Sequence, residues 1–331
     1  MALADSSIAA PQAYLQKQSR WHPIEIAFWL ALLLPYVLFP NYLSLANQIA
    51  ITALFALSLD LILGYAGLVS LGHAAYFGTG AYAAGLLSKF GWGEPVSGLV
   101  LAALVAGLIG FATSFIIARF RHLTLIMLTL GFGLLLTELA NSNGWLTGGV
   151  DGLQGIRMWP LLGLFKFDLY ARTAYTYSLV VLFVVFLGAR RLVHSPFGLA
   201  LRGIRDNWVR MPAIGASRRA HIRTIYTISA AMAGIAGALL AQTTETVSLD
   251  SLSFDRSAEL VVILVLGGAG RLYGGIIGAI IFMIARDQFS GIAPQYWYFW
   301  IGLLLIIVVI FLPNGVLGGL SKLLSRWNAR R

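Results

Sequence analysis

The chain has 331 residues, of which 59% are hydrophobic and only 11% are charged. A soluble domain carries about 25% charged residues because its surface needs polar cover, so this composition excludes an ordinary soluble protein. The net charge of +10 would suit nucleic-acid binding, but its distribution along the chain indicates a basic face beside anionic lipid. The absence of cysteine excludes disulfides and cysteine-ligated metal.

Apolar runs that approach the length of a bilayer core follow one another along most of the chain. They predict an all-α fold, a polytopic transmembrane helical bundle with about nine or ten membrane segments. Residues 1–20 are of mixed, partly polar composition, and no small-residue cleavage pattern follows the first run, so we interpret that run as a retained span. The predicted segments are 24–40, 44–63, 67–88, 96–118, 123–140, 174–188, 224–243, 258–268, 272–286 and 297–312.

Two glycine-rich regions interrupt this pattern. The first, residues 64–85, is typical either of close helix packing through small residues or of a broken helix that lines a pathway. The second is the sequence GGAG at 267–270, between the arms 258–268 and 272–286. Each arm is too short to cross comfortably, and a turn at membrane depth needs cover by protein or a water-filled cavity. We therefore predict a hairpin that either spans the membrane or re-enters it.

The basic residues lie in alternate connections, as they do when cytoplasmic loops collect Lys and Arg. With a cytoplasmic N-terminus, most of the 23 Lys and Arg residues fall inside, above all in the 189–223 loop. The opposite loops hold the acidic residues Glu94, Asp151, Asp168, Glu245, Asp250 and Asp255. We therefore predict a cytoplasmic N-terminal tail at 1–23, a transmembrane domain at 24–315 and a basic cytoplasmic C-terminal tail at 316–331. Lipid, not nucleic acid, is the expected partner of the basic face.

Few polar side chains lie within the predicted spans, where a charge is costly and usually faces protein or water. Asp60 and Glu138 lie near span ends, so each either reaches the interface or lines a pathway. His73 is deeper, and we favour a hydrogen-bonded structural role over a pathway role together with Tyr76. No histidine and carboxylate spacing such as H-E-x-x-H occurs, nor a nucleophile–base pair, so we predict no metal site and no catalytic residue.

Several segments carry a resemblance to a known family. They are GYAGLVSLGHAAYFGTGAYAAG at 64–85, TGGVDGLQGI at 147–156, ALRGIRDNWVRMPAIGASRRAHIRTIYTISAAMAGIAGALLA at 200–241 and LVVILVLGGAGRLYGGIIGA at 260–279. In this order and spacing they resemble the LivM-like permeases of the branched-chain amino-acid ABC transporter family. The resemblance covers the chain from about residue 45 to 315. It implies a permease subunit for branched-chain or other hydrophobic amino acids in the bacterial inner membrane, with both termini cytoplasmic.

The resemblance also implies partners. These are a second homologous permease subunit, two cytoplasmic ABC ATPase subunits and a periplasmic or extracellular solute-binding protein. The sequence itself supports the expectation that ATP is hydrolysed by other chains. The phosphate-binding pattern G-x-x-x-x-G-K-[ST] needs a Gly-Lys pair, and no lysine here follows a glycine. We therefore expect that this chain is not an enzyme and binds no cofactor, and that ATP is used by the partner ATPases.

The long 189–223 loop is the predicted docking site for the ATPase, since a connection of this length usually has a function. By resemblance its coupling residues are Arg202, Gly203, Ile204, Arg205, Asp206, Ala213, Ile214 and Gly215. We expect Ile204 and Ile214 to enter a groove of the ATPase with arginines at the rim, and a short helix to begin near Pro212. The alternative is a loop that only fixes topology and binds lipid.

Three other functions stay open at this point. Related permeases handle urea, short amides or other small organic solutes. A self-sufficient secondary transporter or channel would need paired intramembrane charges for a coupling ion, for which Asp60 and Glu138 are the candidates. An intramembrane enzyme would need a catalytic arrangement that the sequence lacks.

The external 147–156 segment is either a mouth that meets the solute-binding protein or an ordinary surface loop.

Overall fold

The structure is a computed structural model, and it describes residues 22–161, 163–168, 170–213, 215–312 and 314–319. Within these ranges the chain is helical, and its extended pairing consists of two isolated β-bridges. The predicted all-α class is therefore confirmed. The helices are α1 (Pro23–Ala31), α2 (Pro35–Leu38), α3 (Leu43–Asp60), α4 (Ala74–Lys89), α5 (Pro95–Ile117), α6 (His122–Ser142), α7 (Gly144–Thr147), α8 (Arg172–Val193), α9 (Pro196–Asp206), α10 (Arg210–Ala213), α11 (Arg218–Thr244), α12 (Phe254–Gly267), α13 (Leu272–Ile292) and α14 (Trp297–Phe311).

Seven helical stretches of the described chain are long and apolar enough to cross a membrane, which confirms the multi-pass membrane class. They are Pro40–Tyr65, Pro95–Ile117, His122–Ser142, Arg172–Val193, Arg218–Thr244, Leu272–Ile292 and Trp297–Gly319. The other predicted segments correspond to shorter helices, because α1 and α2 are separate, α4 has 16 residues and α12 has 14.

The first predicted span, 24–40, is divided into two short helices. α1 begins with Pro23 at its first position, where the missing N–H costs nothing, and it ends at Ala31. Pro35 then begins α2. A continuous helix would need the absent N–H of Pro35 and would press its ring against the carbonyl of Ala31, so the proline explains the division.

The third predicted span, 67–88, starts later than expected because the backbone is irregular. α3 continues through a π-helical turn at Leu61–Tyr65, and residues 66–73 are then non-helical before α4 begins at Ala74. Gly67 has φ +71°, a left-handed conformation that glycine adopts without steric cost. The first glycine-rich region therefore contains a break between two helices.

The same region also packs closely, as the alternative interpretation expects. α11 lies at the centre of the bundle against α3, α4 and α5. A Cβ atom added to Gly80 of α4 would lie 2.2 Å from the carbonyl oxygen of Gly234 of α11. In lipid, small residues of this kind let helix backbones approach each other, since the hydrophobic effect does not drive helices together there.

The predicted hairpin is formed by α12 and α13, but its arms differ in length. The arms pack closely, because a Cβ atom on Gly278 would lie 2.0 Å from the carbonyl oxygen of Ile263. The prediction that both arms are too short is wrong for the second, which extends to Ile292 and has 21 residues. The first arm, with 14 residues, spans only about 21 Å. A re-entrant course for this hairpin stays a prediction.

Candidate functional site

The break after α3 meets the hairpin tip and the 189–223 loop at one end of the bundle. The backbone N–H of Gly270 donates to Oδ1 of Asp60 at 2.7 Å. One helical turn further, the carbonyl oxygen of Gly64 accepts a hydrogen bond from Nη1 of Arg205 at 2.5 Å. The break after α3 therefore contacts both the tip between α12 and α13 and Arg205, one of the predicted coupling residues.

The four predicted pathway residues are not one group. Asp60 is 0% exposed, so protein encloses it on all sides. Its role in the structure is to hold the hairpin tip. Glu138 is exposed on α6, whereas Asp60 is enclosed by protein, so the two acids that a coupling ion would need lie in different environments.

His73 and Tyr76 do lie together in the interior, at the start of α4. Nε2 of His73 is 2.9 Å from Oγ of Ser58, and its ring stacks on Phe55 with centroids 5.7 Å apart. The hydroxyl of Tyr76 is 2.7 Å from Oγ1 of Thr113. These bonds fit the structural role that the sequence favoured for His73, and they leave the pathway role untested.

The longer helix of the predicted 189–223 loop is α9, which precedes Pro212. It begins at Pro196, after Ser195, whose hydroxyl accepts from the backbone N–H of Gly198. Its apolar side faces this chain, because Ile204 is 0% exposed. The prediction that Ile204 enters a partner groove is therefore wrong.

Four other predicted coupling residues, Arg202, Gly203, Arg205 and Asp206, belong to the same helix. The guanidinium of Arg202 lies 5.3 Å from the ring centroid of Tyr65, and Gly203 leaves room for the side chain of Met211. Asp206 pairs with its neighbour Arg205 at 3.2 Å. Arg202 and Arg205 thus both contact the π-helical turn at the end of α3.

The outward surface of the coupling region lies further along the chain. Ala213 and Gly215 are exposed, whereas Ile214 lies outside the described residues. Val209 is 78% exposed and is an apolar group on this surface that the sequence analysis missed. The one-turn helix α10 begins at Arg210, and Oδ1 of Asn207 accepts from the backbone N–H groups of Val209 and Arg210. Pro212 lies in its first turn, close to the predicted start.

Trp208 fixes the coupling region to two helices. The guanidinium groups of Arg121 and Arg218 both lie over its buried ring, at 3.8 and 4.3 Å from the ring centroid. Burial and the charge of Arg218 lower the pKa of Arg121. The two cations repel each other, and the negative face of the indole offsets that cost.

The predicted 189–223 loop is shorter than expected because helices occupy both of its ends. α8 continues to Val193 and α11 begins at Arg218, so the connection covers residues 194–217. We call residues 194–217 the coupling segment. Arg190 belongs to α8 and pairs with Glu25 of α1 at 2.8 Å, with little exposure of the arginine.

The opposite end of the bundle carries the 147–156 segment and a cavity. Leu153 forms an antiparallel bridge with Val247, and Leu153 is buried, so this segment is anchored to the loop after α11. Val150, by contrast, is 83% exposed. The cavity lies between α3, α12 and α13, and Glu259 and Arg286 on its wall form an ion pair at 3.6 Å. Both residues lie within the predicted hairpin arms. Their charge within predicted membrane segments could have identified them from the sequence, but they were not among the predicted site residues.

In the described part of the chain, no group of three or more His, Cys, Asp or Glu could hold a metal ion.

The comparison with known families decides the class of the chain. The family described as branched-chain amino acid transport system, permease component, matches residues 41–309. The chain belongs to this family. The expected membership, and with it the expectation of a membrane transport permease, is therefore confirmed.

Named relatives of this permease cover most of its length. It is 30% identical over 309 residues to the high-affinity branched-chain amino acid transport system permease protein LivM of Escherichia coli (strain K12), with 87% of this chain and 72% of that protein covered. It is 24% identical over 290 residues to the permease protein LivH of the same strain, with 80% and 91% covered. A probable LivM of Methanocaldococcus jannaschii is 25% identical over 315 residues, with 79% and 89% covered. No solved structure matches the permease.

Proposed function

We propose that this chain is the transmembrane permease subunit of an ATP-binding-cassette importer for branched-chain or other hydrophobic amino acids. The observation that carries the proposal is the family match across residues 41–309, because that family is the permease component of branched-chain amino acid transport. Seven described stretches that are long and apolar enough to cross a membrane support a pathway-forming role.

The partners follow from the relatives and from the sequence. LivM and LivH of one strain are both named permease proteins of high-affinity branched-chain amino acid transport, and both are similar to this chain. We infer a heteromeric pair in which a second homologous permease faces this one. Two cytoplasmic ABC ATPase subunits supply the energy, since no lysine here follows a glycine as a phosphate-binding loop requires. The chain is then not an enzyme, and a solute-binding protein delivers the amino acid.

The coupling segment is the proposed docking site for an ATPase subunit. Its exposed surface includes Val209, and its inner side is tied to the helix break through Arg205 and Gly64. A displacement of the segment by the ATPase would therefore reach Asp60 and the hairpin tip through direct contacts. This continuity supports the segment as the route by which ATP hydrolysis acts on the pathway.

The proposed location is the bacterial inner membrane, with both termini and the coupling segment in the cytoplasm. The distribution of basic residues supports this orientation, because Lys and Arg collect on the cytoplasmic side of short loops. The tails 1–23 and 316–331 then flank a membrane domain at 24–315. Residues 1–21 and 320–331, which hold much of the tails, lie outside the described residues.

Reconstituted transport tests the function. The chain, its partner permease, both ATPases and the solute-binding protein are placed in vesicles, and leucine uptake is measured with ATP and with ADP. The proposal expects uptake with ATP only. Uptake driven by an ion gradient without ATPases would indicate a secondary transporter instead. Uptake of urea or a short amide but not leucine would favour the other solute class.

A further inference from the structure

The cavity at the end opposite the coupling segment has polar side chains at its mouth and apolar side chains below. Its volume is about 220 Å³, which is below the roughly 300–1,000 Å³ of pockets for drug-sized ligands, so the cavity suits only a small solute. The apolar part is lined by Ile51, Phe55, Phe77, Leu260, Ile263 and Phe282, which are all buried. An aliphatic side chain fits such a surface.

The mouth carries two positive and two negative side chains, on two helices. Arg256 and Glu259 belong to α12, and Arg286 and Asp287 belong to α13. The formal charge of the four is zero, which suits a ligand that has both charges and no net charge. Gln48 of α3 adds a neutral polar group to the same wall.

The ion pairs at the mouth leave room for competition by a ligand. Oε2 of Glu259 is 3.4 Å from Arg256 and 3.6 Å from Arg286. Close charge-assisted bonds measure about 2.7–2.9 Å, so these contacts are long. Arg286 is also positioned by Trp297, whose ring centroid lies 5.0 Å from its guanidinium carbon. A carboxylate can therefore approach an arginine that is already held in place.

We propose that this cavity binds the amino acid as a zwitterion, with Arg286 and Arg256 on its carboxylate, Glu259 on its ammonium group and the apolar wall on its side chain. The inference rests on the proposed import of hydrophobic amino acids and adds that the permease itself recognises the two charges of the solute. Phe55 of the wall also stacks on His73, so an occupied cavity contacts the interior network beside the helix break.

The test uses the full permease assembly without the solute-binding protein. Its unfolding temperature is followed with increasing leucine, leucinamide or 4-methylpentanoate. These share one side chain, but the second lacks the carboxylate and the third lacks the ammonium group. A ligand that binds the folded state raises the unfolding temperature with dose, which gives an apparent Kd. Leucine is expected to have an apparent Kd lower than that of either analogue by on the order of tenfold, since hydrogen bonds to charged groups are the stronger ones.

Variants assign each charge. Arg286→Gln is expected to raise the Kd of leucine about tenfold and to leave that of leucinamide unchanged. Glu259→Gln is expected to raise the Kd of leucine and to leave that of 4-methylpentanoate unchanged. Arg286→Lys keeps the charge without the planar fork, so it should retain part of the affinity even if the Gln variant does not fold. Asp255→Asn is the matched control, because Asp255 is an exposed acid on the same helix.

Two results would overturn the assignment. One is equal binding of leucine and both analogues, and the other is an unchanged Kd for leucine in the Arg286 and Glu259 variants. ATP-driven leucine uptake by the same preparation with the solute-binding protein separates the two proposals. Absence of uptake by the wild type contradicts the proposed function, whereas uptake without the analogue pattern contradicts only the cavity assignment.

Discussion

Gly270 donates its backbone N–H to Oδ1 of Asp60 across 2.7 Å, which joins the α12–α13 tip to the end of α3. Asp60 is completely buried and has no access to water in the structure. The turn at the tip leaves backbone groups that no helix satisfies, and a buried side chain supplies the acceptor. Asp60 is thus a structural partner of the hairpin before any role in transport.

Replacement of Asp60 tests this bond. Asp60→Leu leaves the N–H of Gly270 without its acceptor, so it is expected to lower the free energy of unfolding by about 1–3 kcal/mol. Asp60→Asn keeps an oxygen at the same position and should cost less. Unfolding temperatures of the two variants in detergent give the comparison. Equal losses would mean that the hydrogen bond to Gly270 contributes little.

Gly64 should not tolerate a side chain. A Cβ atom there would lie 2.2 Å from Oδ1 of Asp60 and 2.3 Å from the backbone nitrogen of Gly270. Gly64→Ala is therefore expected to cost about 1–3 kcal/mol, as overpacking of a filled interior does. Gly188→Ala is the control, since no atom lies within 4 Å of the added carbon, and its stability should not fall. A stable Gly64→Ala protein would show that the contact between α3 and the hairpin tip yields easily.

Val209 should contribute to ATPase docking. Val209→Asp is expected to weaken association with the ATPase about tenfold, because an interface would then bury an unpaired carboxylate. The protein should still fold, since Val209 is 78% exposed. Val150→Asp makes the same change at the other end and should leave copurification of the ATPase unaltered. Normal copurification of the Val209 variant would remove this residue from the docking surface.

Thiol labelling can establish the orientation, because the natural chain has no cysteine. Val150→Cys and Val209→Cys place single exposed thiols at opposite ends of the bundle. An impermeant reagent is expected to label the first in intact cells and the second only after permeabilisation. The reverse pattern would place the coupling segment outside and contradict the proposed topology.

The long helices were predictable from the sequence because a continuous apolar run of membrane-spanning length determines each of them. α5 runs from Pro95 to Ile117, against a predicted 96–118, since Glu94 caps its first turn and a continuous apolar run follows. The non-helical stretch 66–73 could not be predicted in the same way, because glycine favours both close helix packing and irregular backbone. The structure shows both features in this region.

The sites depended on tertiary contacts that local patterns do not contain. α9 is amphipathic, but its sequence does not say whether Ile204 faces the chain or a partner, and only packing turned it inward. Glu259 and Arg286 are far apart in the sequence, and they become a pair when α12 and α13 pack side by side. Val209 directly follows the apolar Trp208, which is buried, so the sequence did not show which of the two neighbours would be exposed.

The cation–π contacts of Trp208 with Arg121 and Arg218 attach the coupling segment to the first turn of α11. Arg218 is the first residue of α11, and Leu240, near the other end of that helix, lines the cavity. A helix of 27 residues is about 40 Å long. If it pivots as a rigid rod at the Trp208 end, a tilt of about 5° displaces the far end by roughly 3.5 Å. A change in the tilt of α11 at the coupling segment would therefore displace the cavity wall at Leu240.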